Sequence, residues 1–161
     1  MAKLKPIKLR VKKAETTIRA EIDPGRINQN LDRAQFKLDS AVMTSMVPYM
    51  PMISGSFINL TRARSEAMAG TGKVVAAAPP FGRYLYFGKV MVDESTGSTY
   101  ARKGAKKVLV SQYAGKTNAS EDIEFSKTKH PDAQKEWFKP AKAADLESWI
   151  RVAKGEMKHG E

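Results

Sequence analysis

A chain of 161 residues, 42% of them hydrophobic, is long enough for one domain with a real core. Its 28 basic against 17 acidic residues give a net charge of +11, a field that attracts polyanions such as nucleic acid and repels other basic surfaces. There is no cysteine, and the only histidines are His130 and His159. Disulfides and thiolate zinc sites are thereby excluded, a histidine metal centre would need carboxylates to complete it, and a protein with no cofactor is the simpler reading.

No uncharged apolar run approaches the ~18 residues of a membrane-spanning helix, and the N-terminus leads into no signal-type hydrophobic block. The chain is therefore expected to be soluble, without a membrane partner, and suited to a reducing cytoplasm. In the first residues Lys3, Lys5, Lys8, Arg10, Lys12 and Lys13 meet no acidic residue, while Leu4, Ile7, Leu9 and Val11 interleave with them. That alternation predicts a strand or extended arm with one apolar face, serving either as a solvated pairing strand or as a direct phosphate contact. Thr17 to Ile22 is expected as a second strand.

Asp23-Pro24 supplies an N-cap and a proline for a first helical turn. Ile27, Leu31, Ala34, Leu38, Val42 and Met46 then recur at intervals that place one apolar stripe down a long helix ending near Val47, where Pro48 and Pro51 stop it. Met43, Met46, Met50 and Met52 read as adaptable packing at the helix end. Beyond the turn Ile53 to Ser56, the alternation from Phe57 to Arg62 predicts a strand. Gly70-Thr71-Gly72-Lys73 predicts a hairpin loop before an extended run from Val74 to Ala78. A Walker loop is excluded, because G-x-x-x-x-G-K-[ST] would need glycine at position 67 and Ser or Thr after the lysine, where Ala67 and Val74 stand.

Tyr84 to Phe87 reads as a strand with Leu85 and Phe87 on one face and Tyr84 and Tyr86 on the other, and Gly88 marks a bulge or a close backbone approach. Ordinary core packing explains the leucine and phenylalanine. Two tyrosines beside Arg83 on the opposite face fit a contact surface equally well, so both readings stand. The polar stretch 93–107 predicts a projecting loop; Val108 to Val110 and Ile123 to Phe125 predict short returning strands. A helix is expected from Asp132, with Trp137 and Phe138 inside, a kink or a restart at Pro140, and an inner face of Leu146, Trp149, Ile150 and Ala153 ending near Gly155.

Catalytic patterns are weak. Ser126, His130 and Asp132 lie close together in the chain, but nothing resembles a nucleophile elbow, and His130 before a proline reads as a capping or packing residue. Asp93, Glu94, Glu121, Asp122 and Glu124 fall in expected loops with no apolar cage to raise a carboxyl pKa. No enzymatic activity is expected.

Four segments together carry a family pattern: VPYMP at 47–51, ISGSF at 53–57, APPFGRYLYFGKVMVD at 78–93 and KTKHPDAQKEWFKPAKAADLESWI at 127–150. In this order they resemble the small minor capsid proteins of tailed phages infecting Gram-positive bacteria, whose pattern runs VP-x-x-x-G-x-L, YA-x-YLYYGKVMV and HP-x-A-x-x-WFE-x-A. The likeness spans roughly residues 26–154. It departs at Phe57, where leucine is usual, at Phe81-Gly82 in place of Tyr-Ala, and at Pro140 in the last helix.

The resemblance implies a virion structural protein of the head–tail connector, or neck, forming a ring between portal or adaptor and tail tube. A tail terminator or capsid-associated minor protein is the alternative within that class, and a basic DNA-binding module the alternative outside it. The implied fold is α+β: a twisted antiparallel sheet packed by one long helix, a C-terminal helix and a long projecting loop. Residues 1–22 would form the arm or its strands, 23–155 the neck-type domain with loop 93–107, and 156–161 a flexible tail. Subunit contacts are expected at Arg83, Tyr84, Tyr86, Phe87, Trp137, Phe138 and Trp149. Lys3, Lys5, Lys8, Arg10, Arg102, Lys103, Lys106 and Lys107 are expected to face DNA through non-specific phosphate contacts. Implied partners are further copies of the chain in a homo-oligomeric ring, neighbouring neck, portal-adaptor or tail proteins, and packaged DNA. The protein would reside in the virion after assembly in the bacterial cytoplasm.

Overall fold

A computed structural model describes residues 3–13, 16–22 and 24–158. The order of elements is β1 (Ile7–Lys13), β2 (Thr16–Ile22), α1 (Gly25–Met46), α2 (Ser56–Glu66), α3 (Gly82–Phe87), β3 (Met91–Asp93), β4 (Lys107–Leu109) and α4 (Phe138–Lys158). The fold is α+β, with the long helix α1 packed on the C-terminal helix α4. The sheet component consists of two separate antiparallel pairs, β1 with β2 and β3 with β4.

β1 and β2 pair Ile7 with Ile22, Leu9 with Ala20 and Val11 with Ile18, so the alternation of the arm places its apolar positions at shared register positions. The chain before β1 is tied to α1: Leu4 N–H donates to Asn28 Oδ1 at 2.9 Å, and Asn28 Nδ2 returns a bond to the Leu4 carbonyl at 3.0 Å. α1 runs as its periodicity predicts and passes into a 3-10 turn, Val47–Tyr49, with Pro48 in its opening positions. The expected cap Asp23 lies outside the described residues. α1 buries Ala34, Val42, Met43 and Met46, together with two polar residues, Gln35 and Asp39; Ile27 at its start is exposed.

Asp39 shows why a charged residue can sit inside. Its Oδ1 accepts from Gln35 Nε2 at 2.6 Å, and its Oδ2 accepts from the backbone N–H of Gly70 at 2.8 Å and of Gly72 at 3.0 Å. Gly70 and Gly72 both take positive φ, at 88° and 77°, which turns their amides toward one point. The glycines form a turn, but it joins helix α2 to the irregular run 74–78 and is no hairpin loop, and α1 itself supplies the anion at its centre.

Four segments expected as strands fold otherwise; one of them, Ile123 to Phe125, is irregular, following an isolated bridge of Asp122 to Lys89. Phe57 to Arg62 belongs to helix α2, whose buried positions are Ile58, Thr61 and Ser65. Two of those are polar and so invisible to an apolar-only pattern. Their hydroxyls substitute for a sheet ladder: Thr61 Oγ1 donates to the Phe57 carbonyl and accepts from Ala78 N–H, while Ser65 Oγ is bonded to Val75 through both backbone groups. The run 74–78 is accordingly an irregular extended segment held by side chains.

The last is the aromatic run. Tyr84 to Phe87 is the body of α3, because Gly88 takes the left-handed conformation at φ 63° and closes the turn with Gly88 N–H to the Leu85 carbonyl and Lys89 N–H to the Tyr84 carbonyl. Gly88 is a helix C-cap rather than a bulge. The helical turn sends Leu85 and Tyr86 onto the core and leaves Arg83 and Phe87 exposed.

α4 begins later than expected, at Phe138, which places Pro140 in the first turn, where no intrahelical N–H bond is lost. Pro140 therefore introduces no kink. The helix also passes Gly155 and continues to Lys158, so residues 156–158 of the expected tail are helical. The core joins Met43, Met46, Met50, Ile58, Trp137 and Trp149.

Candidate subunit interface

The expected contact residues divide by burial. Trp137 has 0% of its surface exposed and Trp149 5%. Trp137 Nε1–H donates to the Ala76 carbonyl at 2.8 Å, and its ring meets Tyr86 and Phe57 edge-on at centroid distances of 4.9 and 5.9 Å. Trp149 Nε1–H donates to Ser45 Oγ at 3.0 Å. Both tryptophans, and most of Tyr86, belong to the core of the single chain, which corrects their expected place at a subunit surface. Burial raises the Tyr86 phenol above its ordinary pKa, with the neighbouring Glu136 adding to the rise; burial alone does the same for Tyr84.

Arg83, Phe87 and Phe138 remain at the surface, and Tyr84 is half-buried. They form parts of two different surfaces. On α4, Phe138 stacks on Trp149 at 6.2 Å, and Leu146, Ile150 and Met157 continue along the same side of the helix at 42%, 45% and 49% exposure. These residues rim an apolar cleft of about 710 Å³ between α1, the segment 72–76 and α4. Leu146 and Ile150 were placed by periodicity on the inner face; they sit instead at the mouth of this cleft, while Trp149 between them fills the interior.

On α3, Arg83, Tyr84 and Phe87 face Lys106 and Lys107 across a second cleft of about 470 Å³. Residues expected for subunit contact and residues expected for DNA thus share one surface. Lys89, Val108 and Leu109 also line it and carried no distinguishing sequence signal. Lys89 is bonded to Glu121 at 3.0 Å and to Asp122 at 2.8 Å, which raises the lysine pKa and lowers that of Asp122.

The other expected DNA contacts scatter. Lys3 pairs with Asp32 at 3.3 Å; Lys5 and Lys8 are exposed, and the side chain of Arg10 lies outside the described residues. Arg102 and Lys103 are exposed in the loop between β3 and β4, whereas Lys106 pairs with Glu94 at 2.7 Å and Lys107 Nζ donates to the Thr99 carbonyl at 2.7 Å.

The root of that loop is built by Asp93, which is buried and accepts from the Ser95 hydroxyl at 2.5 Å, Ser95 N–H at 2.8 Å and Thr96 N–H at 3.1 Å. Those donors hold its carboxyl below the ordinary carboxylate pKa, the Ser95 hydroxyl contributing most. A carboxylate with a depressed folded pKa stabilises the fold above its unfolded pKa, and that stabilisation disappears as pH falls through the folded value. We expect the Ser95 and Thr96 amide resonances to move together on acidification through this range, and Asp93→Asn to abolish the movement. Amide shifts followed against pH check this.

His130 Nδ1–H donates to the Met50 carbonyl at 2.8 Å, and Ser126 Oγ is bonded to Thr128, so the Ser126, His130 and Asp132 arrangement is not assembled. Among the described residues no helix is long and apolar enough to cross a membrane. Comparison with protein-family models, curated proteins and solved structures returned no match to this chain.

Proposed function

We propose that this chain is a structural subunit of a tailed-phage neck that associates head to tail into a ring between portal or adaptor and tail tube. The observation that carries the reading is the presence of two unlike exposed surfaces on one small domain: the apolar mouth at Phe138, Leu146, Ile150 and Met157, and the aromatic, basic cleft at Arg83, Tyr84 and Phe87. A heterologous ring needs two different patches on every copy. Large exposed apolar groups clustered on one helix side mark interaction surfaces rather than ordinary solvent-facing structure. The motif order from VPYMP to WFKPAK supports the same assignment.

Mass spectrometry of purified phage particles is the test. The chain is expected in intact virions, in a fixed ratio to the portal subunit, and a Leu146→Asp, Ile150→Asp variant is expected to be missing from particles while folding normally. Absence of the unaltered chain from purified particles overturns the reading. Arg102 and Lys103, exposed at the loop, favour a second reading as a basic DNA-binding module. That reading requires the isolated monomer to bind duplex DNA with an affinity that falls steeply with salt.

A further inference from the structure

The second cleft has a feature that the ring model does not use: strand β4, which helps line it, keeps an open edge. β4 pairs only with β3, while the far side of the neighbouring segment is taken by residues 121–123 through Val90 N–H to the Glu121 carbonyl and Ile123 N–H to the Gly88 carbonyl. The ladder phase follows from two bonds, Glu94 N–H to the Lys106 carbonyl at 3.0 Å and Val110 N–H to the Val90 carbonyl at 3.1 Å. With Val92 opposite Val108, every second residue is bonded inward, so Lys107 turns its N–H and C=O outward and Leu109 its N–H, while the Leu109 carbonyl opens the 3-10 turn Val110–Gln112. Asp93 agrees, since its N–H bonds Ser98 on the opposite outer side at 2.8 Å. Among the described residues no backbone hydrogen bond between elements meets the outward groups of Lys107 or the Leu109 N–H.

Beside this edge stand Arg83, Lys89, Lys106 and Lys107, with Tyr84 and Phe87 as an apolar floor; no acidic residue lines the cleft. Glu94, Glu121 and Asp122 neutralise Lys106 and Lys89 from outside it, which leaves, among the described residues, Arg83 and Lys107 without a carboxylate, the Lys107 ammonium resting on the Thr99 carbonyl. We infer that this cleft binds an extended acidic segment of a different protein, added as a strand along β4 with carboxylates on Arg83 and Lys107 and apolar side chains on Tyr84 and Phe87. A second copy does not fit the requirement. The arm has no acidic residue before Glu15, and the acidic run Glu121 to Glu124 is already held by the isolated bridge of Asp122 to Lys89 and the backbone bonds of Glu121 and Ile123 to Val90 and Gly88. Nucleic acid would satisfy the cations and accept from an outward N–H, but its phosphates offer no donor to the outward Lys107 carbonyl, which an added strand would meet. A strand bound here would displace a neighbouring copy from Arg83, Tyr84 and Phe87, so the inference competes with the ring reading at this surface and does not rest on it.

The full chain is titrated with three fluorescent probes: a short peptide alternating glutamate with valine, its lysine counterpart, and a single-stranded oligothymidylate of the same charge as the acidic peptide. Amide exchange is followed at Lys107 and Leu109. The acidic peptide is expected to bind, to slow exchange at both amides, and to lose about tenfold or more in affinity in an Arg83→Glu, Lys107→Glu variant. Leu109→Pro, which deletes one outward donor, is expected to weaken binding while the circular dichroism of the folded chain is kept. Equal binding of the lysine peptide, preferential binding of the oligonucleotide, or binding without protection of the two amides would overturn the proposal. So would absence of binding, which would leave Lys106 and Lys107 as charges that merely keep an open edge from pairing.

Discussion

Trp137→Ala is expected to cost about 3–5 kcal/mol of folding stability, the range for removing a large aromatic from a packed core. Trp137 is fully enclosed, meets Tyr86 and Phe57 edge-on, and satisfies the Ala76 carbonyl with its indole N–H. Truncation removes the aromatic contacts, opens a cavity beside Met50 and Ile58, and leaves a backbone acceptor without its donor. A small domain has about 5–15 kcal/mol in total, so the variant should unfold at a much lower urea concentration or fail to fold near body temperature. Trp137→Phe keeps most of the volume but not the donor and should fall between. Urea melts at several protein concentrations separate the alternatives: a loss independent of concentration fits a core residue, and a loss that appears only when copies associate would return Trp137 to the subunit surface.

Gly82→Ala is expected to destabilise by about 1–3 kcal/mol, although alanine is the commonest helix former. A Cβ at this position would lie 2.5 Å from the Ala77 carbonyl carbon and 2.6 Å from its oxygen, and backbone cannot swing aside as a side-chain end can. Gly82 N–H also bonds the Ala78 carbonyl at 2.8 Å, which fixes the start of α3 against the segment that Thr61 and Ser65 hold. A thermal melt that is unchanged or raised in Gly82→Ala would show that the 77–82 turn relaxes freely.

The long helices were legible because their determinants are local. α1 carries an uninterrupted apolar stripe and ends at a proline cluster, and α4 carries Leu146, Trp149, Ile150 and Ala153 at helical spacing. Burial at each of those positions was not legible, since it depends on which neighbour arrives: Trp149 is covered by α1, whereas Leu146 and Ile150 are left at the rim. α2 was misread because Thr61 and Ser65, two of its three buried positions, are polar and pack through hydrogen bonds. α3 was misread because aromatic residues favour strands on average, and one helical turn capped by Gly88 needs only tertiary contacts at Leu85 and Tyr86 to override that preference. The candidate site was legible in part. Arg83 and the aromatic residues were found by type, but their convergence with Lys106 and Lys107 joins positions distant in sequence, and the outward phase of β4 exists only once the pairing register is known.

The Gly70 to Gly72 turn also shows how a GTGK tetrapeptide can look like a nucleotide cradle while its amides already have an anion. A cradle of that kind works by pointing vacant amides at a phosphate oxygen, and here the occupant is built in, as Asp39. Any incoming triphosphate would have to evict a tethered carboxylate whose local concentration never falls. The anion that other proteins borrow from solution is, in this chain, a permanent rivet between α1 and the turn after α2.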